Sequence, residues 1–277
     1  MKIAFFDSRK LTENYIRQNS NKNWEMVFFN SAFLSSKQSA KIKDIGIISG
    51  EVSSAFNSKT LSKFQNLKAI ATRSTGLDHI DLDYCKKKKI KVFSVPHYGK
   101  STIAEFTFTL LLSLIRKLAD GKEMLDELRV EQCDLCGSDL ADKTIGVIGL
   151  GDIGSNVAKI ANGFGMKVLG CDPFVSKKSK VKMVELNDLL EQSDIITLHC
   201  PATKKTKNML NKTAFSKMKK NAILINTARG SLINTEALYD AILSKRIAGA
   251  GLDVADEERF LFSSPTVSDV KNYQKKN

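Results

Sequence analysis

Histidine is scarce in this 277-residue sequence, its apolar runs are short, and its cysteines form no ligand cluster. The apolar stretch around "FTFTLLLSLI" falls short of the roughly 20 residues a membrane-spanning helix needs. The opening "MKIAFFDSRK" lacks the long apolar segment of a secretory leader. The five cysteines, Cys85, Cys133, Cys136, Cys171 and Cys200, are an odd number, and only Cys133 and Cys136 form a CxxC. With no second pair and no histidine beside it, that pair reads as incidental or as a thiol switch, and no metal is expected. An odd cysteine count without a leader points to a reducing cytoplasm and no membrane attachment.

What the chain does have is core material and positive charge. Hydrophobic residues make up 42% of it, enough for one large or two modest domains. Lys and Arg outnumber Asp and Glu by 43 to 30, and the resulting charge of +13 attracts anions, whether phosphate-bearing cofactors, acidic metabolites or nucleic acid. The densest basic runs, "KKKKIK" from Lys86 and "KKSKVK" from Lys177, carry no interleaved aromatics and match no nucleic-acid motif. They read as solvated faces, and nucleic acid is not the expected partner.

Short apolar segments alternate with helix-capable ones. "KIAFFD", "WEMVFF", "DIGIIS", "LKAIAT" and "KVFSV" predict strands, and their nearly continuous apolar character suits a parallel sheet covered on both faces. Segments such as "SKTLSKFQ" can supply the crossover helices. A long helix is predicted from about Thr102 to Leu118, with Arg116 and Lys117 in its last turns, followed by a polar link, "GSDLADKT". Strands then resume as "TIGVIG", "KVLGCD", "DIITLHC", "AILINTA" and "IAGAGLDV". Two runs of alternating units predict two α/β domains, with the boundary at or just before the long helix.

"TIGVIGLGDIGSNVAKI" is a strand, a glycine turn and a helix in succession. In its GxGxxG, Gly149 permits the tight turn, Gly151 lets a pyrophosphate approach the backbone, and Gly154 lets helix pack on strand. Asp152 and Ile153 open the helix, whose amide end faces the phosphates. Asp172 ends the next strand, eighteen residues past Gly154, where a carboxylate accepts hydrogen bonds from an adenosine ribose and repels a 2'-phosphate. The combination predicts NAD rather than NADP.

Several long blocks then resemble the NAD-dependent D-isomer-specific 2-hydroxyacid dehydrogenases, the family of D-lactate, phosphoglycerate and glyoxylate/hydroxypyruvate reductases. They are "RSTGLDHID" from Arg73, "SVPHYGKSTIAEFTFTLLL" from Ser94, the glycine turn, "SDIITLHCPATKKTKNMLN" from Ser193, "MKKNAILINTARGSLINTEAL" from Met218 and "GLDV" from Gly251. The resemblance implies an α/β fold with a flavodoxin-like substrate domain at residues 1–101 and a Rossmann-like NAD-binding domain at 102–277. It implies interconversion of a small D-2-hydroxy acid and its 2-oxo acid, and a homodimer formed through elements that include the long helix. The apolar face of that helix can equally be intradomain core.

By the same resemblance Arg229 of "TARG" is the catalytic arginine, its planar fork binding the carboxylate and carbonyl oxygens of a 2-oxo acid. Ser74, Thr75, Gly76 and Leu77 turn toward the substrate carboxylate, and Tyr98 matches an aromatic that approaches substrate in the D-lactate branch. A simple turn and a packing tyrosine are the plainer alternatives. Around the cofactor, His199, Cys200 and Pro201 run by the adenosine, Thr206 caps phosphate or ribose contacts, and Thr227, Ala228, Arg229 and Asp253 line the nicotinamide.

Glu258 takes the place of the acidic partner of a proton-donating histidine. The family carries that histidine in a downstream "TPH"-like motif, and this sequence has none after His199. His79, His97 and His199 do not match that position, although His97 is a candidate substitute. The resemblance further implies a strand, an acid-bearing loop and a returning helix beyond Asn277, so a catalytically impaired NAD-binding paralogue or fragment is the alternative to an active dehydrogenase.

Overall fold

Strands that are apolar on both sides must be covered on both sides, and short loops between them leave only helices to do it. The computed structural model describes residues 2–31, 42, 44–127, 135–175 and 180–256, and the chain divides into two units, Met1–Tyr98 and Gly99–Asn277.

In the first unit, β1 (Lys2–Phe5), β2 (Glu25–Phe28), β3 (Ile47–Gly50), β4 (Ala69–Thr72) and β5 (Lys91–Phe93) form an all-parallel sheet. Its order, β2-β1-β3-β4-β5, is flavodoxin-like. The helices are α1 (Lys10–Asn19), α2 (Ser58–Leu61) and α3 (Leu82–Lys87). Phe6 stacks on Phe29 at 4.9 Å between ring centroids and meets Phe56 edge-on at 5.6 Å. With Ile45, Ile48 and Ile70 these rings form the core of the unit, each fully buried side chain contributing about 1.5–3 kcal/mol. The segment "SKTLSKFQ" supplies only the single turn of α2, which starts where the Asn57 side chain accepts from the Thr60 amide.

The second unit starts with α4 (Lys100–Ile115) and α5 (Leu118–Asp126) and continues through β6 (Thr144–Ile148), α6 (Asp152–Gly163), β7 (Lys167–Cys171) and β8 (Lys182–Met183). It goes on through α7 (Leu186–Gln192), β9 (Ile195–Leu198), α8 (Lys212–Lys217), β10 (Ile223–Asn226), α9 (Thr235–Leu243) and β11 (Gly249–Leu252). The sheet is parallel in the order β11-β10-β9-β6-β7-β8. One layer, with Ile196, Leu198 and Leu224, packs under Leu189, Phe215 and Leu238 of α7, α8 and α9. The other sets Ile145, Val147, Ile195 and Ile225 against Phe108 and Leu111 of α4 and Val157 and Ala161 of α6.

Two features depart from the sequence reading. The long helix stops at Ile115, because Lys117 takes a left-handed φ of 52°. That conformation costs an ordinary residue about 1–2 kcal/mol and turns the chain into α5, where no helix was expected. At the end of the basic run after Lys177, Lys182 and Met183 add β8 to the edge of β7.

Candidate functional site

The strand order of the second unit reverses at β6, which has β7 on one side and β9 on the other. In open α/β sheets the crevice beyond the strand ends at such a switch is where ligands bind. Here it is walled by the turn after β6 and by His199 and Cys200 after β9. Gly149 has φ +93°, and a Cβ there would sit 2.7 Å from both the His199 carbonyl carbon and the Cys200 amide. The turn therefore packs directly on the end of β9. A Cβ on Gly154 would lie 1.9 Å from Gly149 O, so only glycine lets α6 start this close to the strand. Gly151 differs from both: a Cβ there meets nothing within 4 Å. The open space lies at the first turn of α6, where Gly151 is the N-cap and supplies no capping side chain. Open space beside the amide end of a helix is what a pyrophosphate requires.

Asp172 is held at the end of β7. Its Oδ2 accepts from the Leu150 amide at 2.7 Å and its Oδ1 from the Phe174 amide at 2.8 Å. Each carboxylate oxygen has a further lone pair for a ribose hydroxyl. The glycine turn and this carboxylate thus fit a dinucleotide from pyrophosphate to adenosine.

On the β9 side, His199 Nε2 lies 2.8 Å from Thr197 Oγ1, while its Nδ1 is buried with no hydrogen-bond partner among the described residues. Burial lowers the pKa of the ring to about 4, so it is neutral near pH 7. Burial likewise pushes the Cys200 thiol up to about 11 and raises Cys171, which leaves both protonated and poorly nucleophilic. Cys200 Sγ donates to Met209 Sδ at 3.9 Å. Thr206 Oγ1 donates to Pro201 O at 2.7 Å and accepts from the Thr203 amide at 2.8 Å, which closes the loop after Pro201 on itself.

The end of β10 is built around a residue the sequence reading passed over. Asn226, fully buried, accepts from the Ala228 amide at 3.0 Å through Oδ1 and donates to Arg229 O at 2.9 Å through Nδ2. This Asx bracket shapes Thr227, Ala228 and Arg229. Its signal was present in the sequence, an asparagine closing an apolar strand. Thr107 of α4 donates to Ile103 O at 2.8 Å, so the 3.0 Å contact between Thr107 and Thr227 takes its proton from Thr227. Arg229 Nη1 donates to Ala228 O at 2.7 Å, and the side chain is half-buried. A Cβ on Gly230 would lie 2.0 Å from the carbonyl carbon of Ala255, which shows how closely the segment after β11 crosses the Arg229 turn. The Asp253 amide on that segment donates to Asn226 O at 3.0 Å. Glu258 lies outside the described residues, as does Cys133 of the CxxC.

In the first unit the loop after β4 is tied down on two sides. Thr75 Oγ1 donates to Val95 O at 2.9 Å, and the Val95 amide donates to Ser74 O at 3.0 Å. Ser74 Oγ donates to Gly76 O at 2.8 Å. The Gly76 and Leu77 amides have no backbone acceptor among the described residues. The Arg73 guanidinium donates to Phe6 O at 2.7 Å, to Ser49 Oγ at 3.2 Å and to Glu51 Oε1 at 3.2 Å, which joins the ends of β1, β3 and β4. Tyr98 is 65% exposed.

Among the described residues no helix is long and apolar enough to cross a membrane, and no group of His, Cys, Asp and Glu could hold a metal ion.

Comparison with known proteins places this arrangement. The family model for the NAD binding domain of D-isomer specific 2-hydroxyacid dehydrogenases matches residues 108–274. A 2-hydroxyacid dehydrogenase homolog of Zymomonas mobilis is 34% identical over 98% of this chain and 84% of its own length. D-lactate dehydrogenase of Escherichia coli K12 is 33% identical over the same shares of the two chains, 98% and 84%. The crystal structure of D-lactate dehydrogenase from Aquifex aeolicus, complexed with NAD and lactic acid, superposes with a TM-score of 0.87 at 33% identity, covering 99% of this chain and 84% of that one. The chain belongs to the D-isomer-specific 2-hydroxyacid dehydrogenases, NAD-dependent oxidoreductases with a Rossmann-like cofactor domain.

Proposed function

We propose that the chain interconverts a small D-2-hydroxy acid, of about the size of D-lactate, and its 2-oxo acid. The observation that carries this reading is the bracketed turn after β10. It holds a half-buried arginine at the carboxyl edge of the sheet that also carries the glycine turn and Asp172.

Residues 1–101 act as the substrate domain and 102–277 as the cofactor domain. Gly149, Gly151, Asp152, Ile153 and Gly154 receive the pyrophosphate, Asp172 the adenosine ribose, and His199, Cys200 and Pro201 flank the adenosine. Thr206 shapes that wall through its own loop contacts. Thr227, Ala228 and Asp253 line the nicotinamide side. Bound NADH supplies the hydride for reduction of the 2-oxo carbon.

The guanidinium of Arg229 grips the carboxylate and carbonyl oxygens of the substrate and stabilises the charge that grows on the latter. The Gly76 and Leu77 amides hold the carboxylate from the loop of Ser74 and Thr75, and Tyr98 bounds the small C3 substituent. Glu258 takes the place of the acidic partner in the proton transfer, and water supplies the proton to the substrate oxygen as the hydride arrives. The asymmetry of charge at Asp172 favours NAD over NADP. The working form is a homodimer.

The test is oxidation of NADH by the purified chain with pyruvate, glyoxylate, hydroxypyruvate and larger 2-oxo acids. Arg229→Lys keeps the charge but loses the fork, and is expected to lower kcat/KM about 10²-fold or more while NADH still binds. Glu258→Gln is expected to lower kcat with little change in KM. NADH binding without turnover on any 2-oxo acid would overturn the dehydrogenase reading of this chain.

A further inference from the structure

Beneath the loop after β4 runs a line of hydrogen bonds whose direction follows from counting protons. Thr72, Ser74 and His79 are buried, at 2%, 3% and 6% exposure. Ser74 Oγ lies 2.8 Å from Gly76 O, and a carbonyl only accepts, so the single hydroxyl proton of Ser74 is spent there. The 2.8 Å contact between Ser74 Oγ and Thr72 Oγ1 must then take its proton from Thr72. The competing acceptor for that proton, Gly50 O, is farther away, at 3.2 Å against 2.8 Å to Ser74 Oγ. Thr72 has no second proton to offer. The 3.0 Å contact between Thr72 Oγ1 and His79 Nε2 therefore requires that Nε2 carry the hydrogen and donate it. Protons run one way, from His79 to Thr72 to Ser74 to the carbonyl of Gly76.

We infer that His79, Thr72 and Ser74 form a directional hydrogen-bond chain that fixes and polarises the Gly76–Leu77 peptide, and thereby tightens the hold of the Leu77 amide on the substrate carboxylate. Hydrogen bonding at a carbonyl oxygen draws electron density along O–C–N and leaves the N–H of the same peptide a stronger donor, and successive bonds in one direction reinforce each other. The peptide that accepts from Ser74 through Gly76 O is the one whose N–H belongs to Leu77. His79 and Thr72 are positioning residues, since they act through Ser74 and the peptide. The inference rests on the reading of residues 74–77 as the carboxylate-binding loop.

Two measurements test it. The chain has three histidines, so ¹⁵N-histidine NMR can resolve each ring, with His79→Gln identifying the signal of His79. The expected tautomer is Nε2–H, and an Nδ1–H tautomer overturns the inference. Separately, calorimetry on the NADH-loaded chain measures binding of oxamate, an unreactive 2-oxo acid mimic. Thr72→Val, which keeps the shape and removes the hydroxyl, is expected to weaken oxamate about five- to tenfold, with Thr72→Ser restoring it and NADH affinity the same in all three. Ser74→Ala should match Thr72→Val, and the double variant should lose no more than either one, because a chain cut once is already cut. In turnover the loss is expected in KM and not in kcat. Wild-type affinity in both Thr72→Val and Ser74→Ala overturns the relay while leaving the loop assignment standing. A wild-type NADH complex that takes up no oxamate overturns the loop assignment itself, and the relay with it.

Discussion

Gly151 and Gly154 stand three positions apart and should fail in opposite ways when given a side chain. Gly154 has Gly149 O 1.9 Å from its missing Cβ, whereas Gly151 has nothing within 4 Å and a φ of −67° that any residue adopts. Gly154→Ala is therefore expected to destabilise the unliganded chain by roughly 1–3 kcal/mol through overpacking. Gly151→Val should leave its melting temperature unchanged and abolish the thermal shift on adding NADH, which in the wild type corresponds to about 2.7 kcal/mol at a hundredfold excess over Kd. Equal effects in the two variants would refute the assignment of Gly151 as the pyrophosphate approach.

His199 makes a pH prediction at the same scale. Burial holds its folded-state pKa near 4 against an ordinary value of 6.5, so between those values the unfolded chain binds a proton that the folded chain does not. The stability contributed by the neutral ring is complete above about pH 6.5 and is lost as pH falls toward about 4, at up to ~1.4 kcal/mol per pH unit. Urea unfolding across this window should show the slope and His199→Gln should flatten it. A variant curve as steep as the wild type would assign the dependence to other groups.

Among the elements, the glycine turn and the strand ends were legible because each is a local event. A positive φ or a close approach selects glycine, and a strand covered on both faces selects an apolar run. The Asn226 bracket was written in the sequence too, but an asparagine after a strand is common, and only the fold shows both of its amide atoms engaged. Asn226→Ala is expected to destabilise by roughly 1–3 kcal/mol and to lower kcat/KM without weakening NADH, because the turn that aims Arg229 loses its frame. Full activity in Asn226→Ala would mean that other contacts hold Arg229. The break between α4 and α5 escaped the periodicity reading because Lys117 is a good helix former, and its residue type does not announce the left-handed φ it takes. The strand β8 escaped for a similar reason: two residues in a basic run become strand by pairing with β7.

At the scale of the whole molecule, α4 buries Ala104, Phe108 and Leu111 in its own unit, so the intradomain reading of its apolar face holds for one side of the helix. Phe106 and Leu114 stay partly exposed, at 40% and 37%. These are the residues through which the proposed homodimer would add its buried area. Sedimentation at micromolar concentration is expected to give twice the chain mass, and Phe106→Glu with Leu114→Glu to give one. A wild-type monomer would remove the dimer from the proposal and leave both exposed side chains as ordinary surface.

The sequence by itself determined the parallel α/β class, the place of the glycine turn, the acid that ends β7 and the membership of the chain in its family. Each of these rests on short-range chemistry: periodicity, glycine stereochemistry and residue order along one strand or turn. Only the tertiary structure decided which hydroxyls share protons, why Thr107 meets Thr227 across 120 residues, and how Thr72 and His79 come to lie under the loop at Ser74. Those contacts join segments that no local rule relates, and a hydrogen bond acquires its direction only when every partner within reach is known.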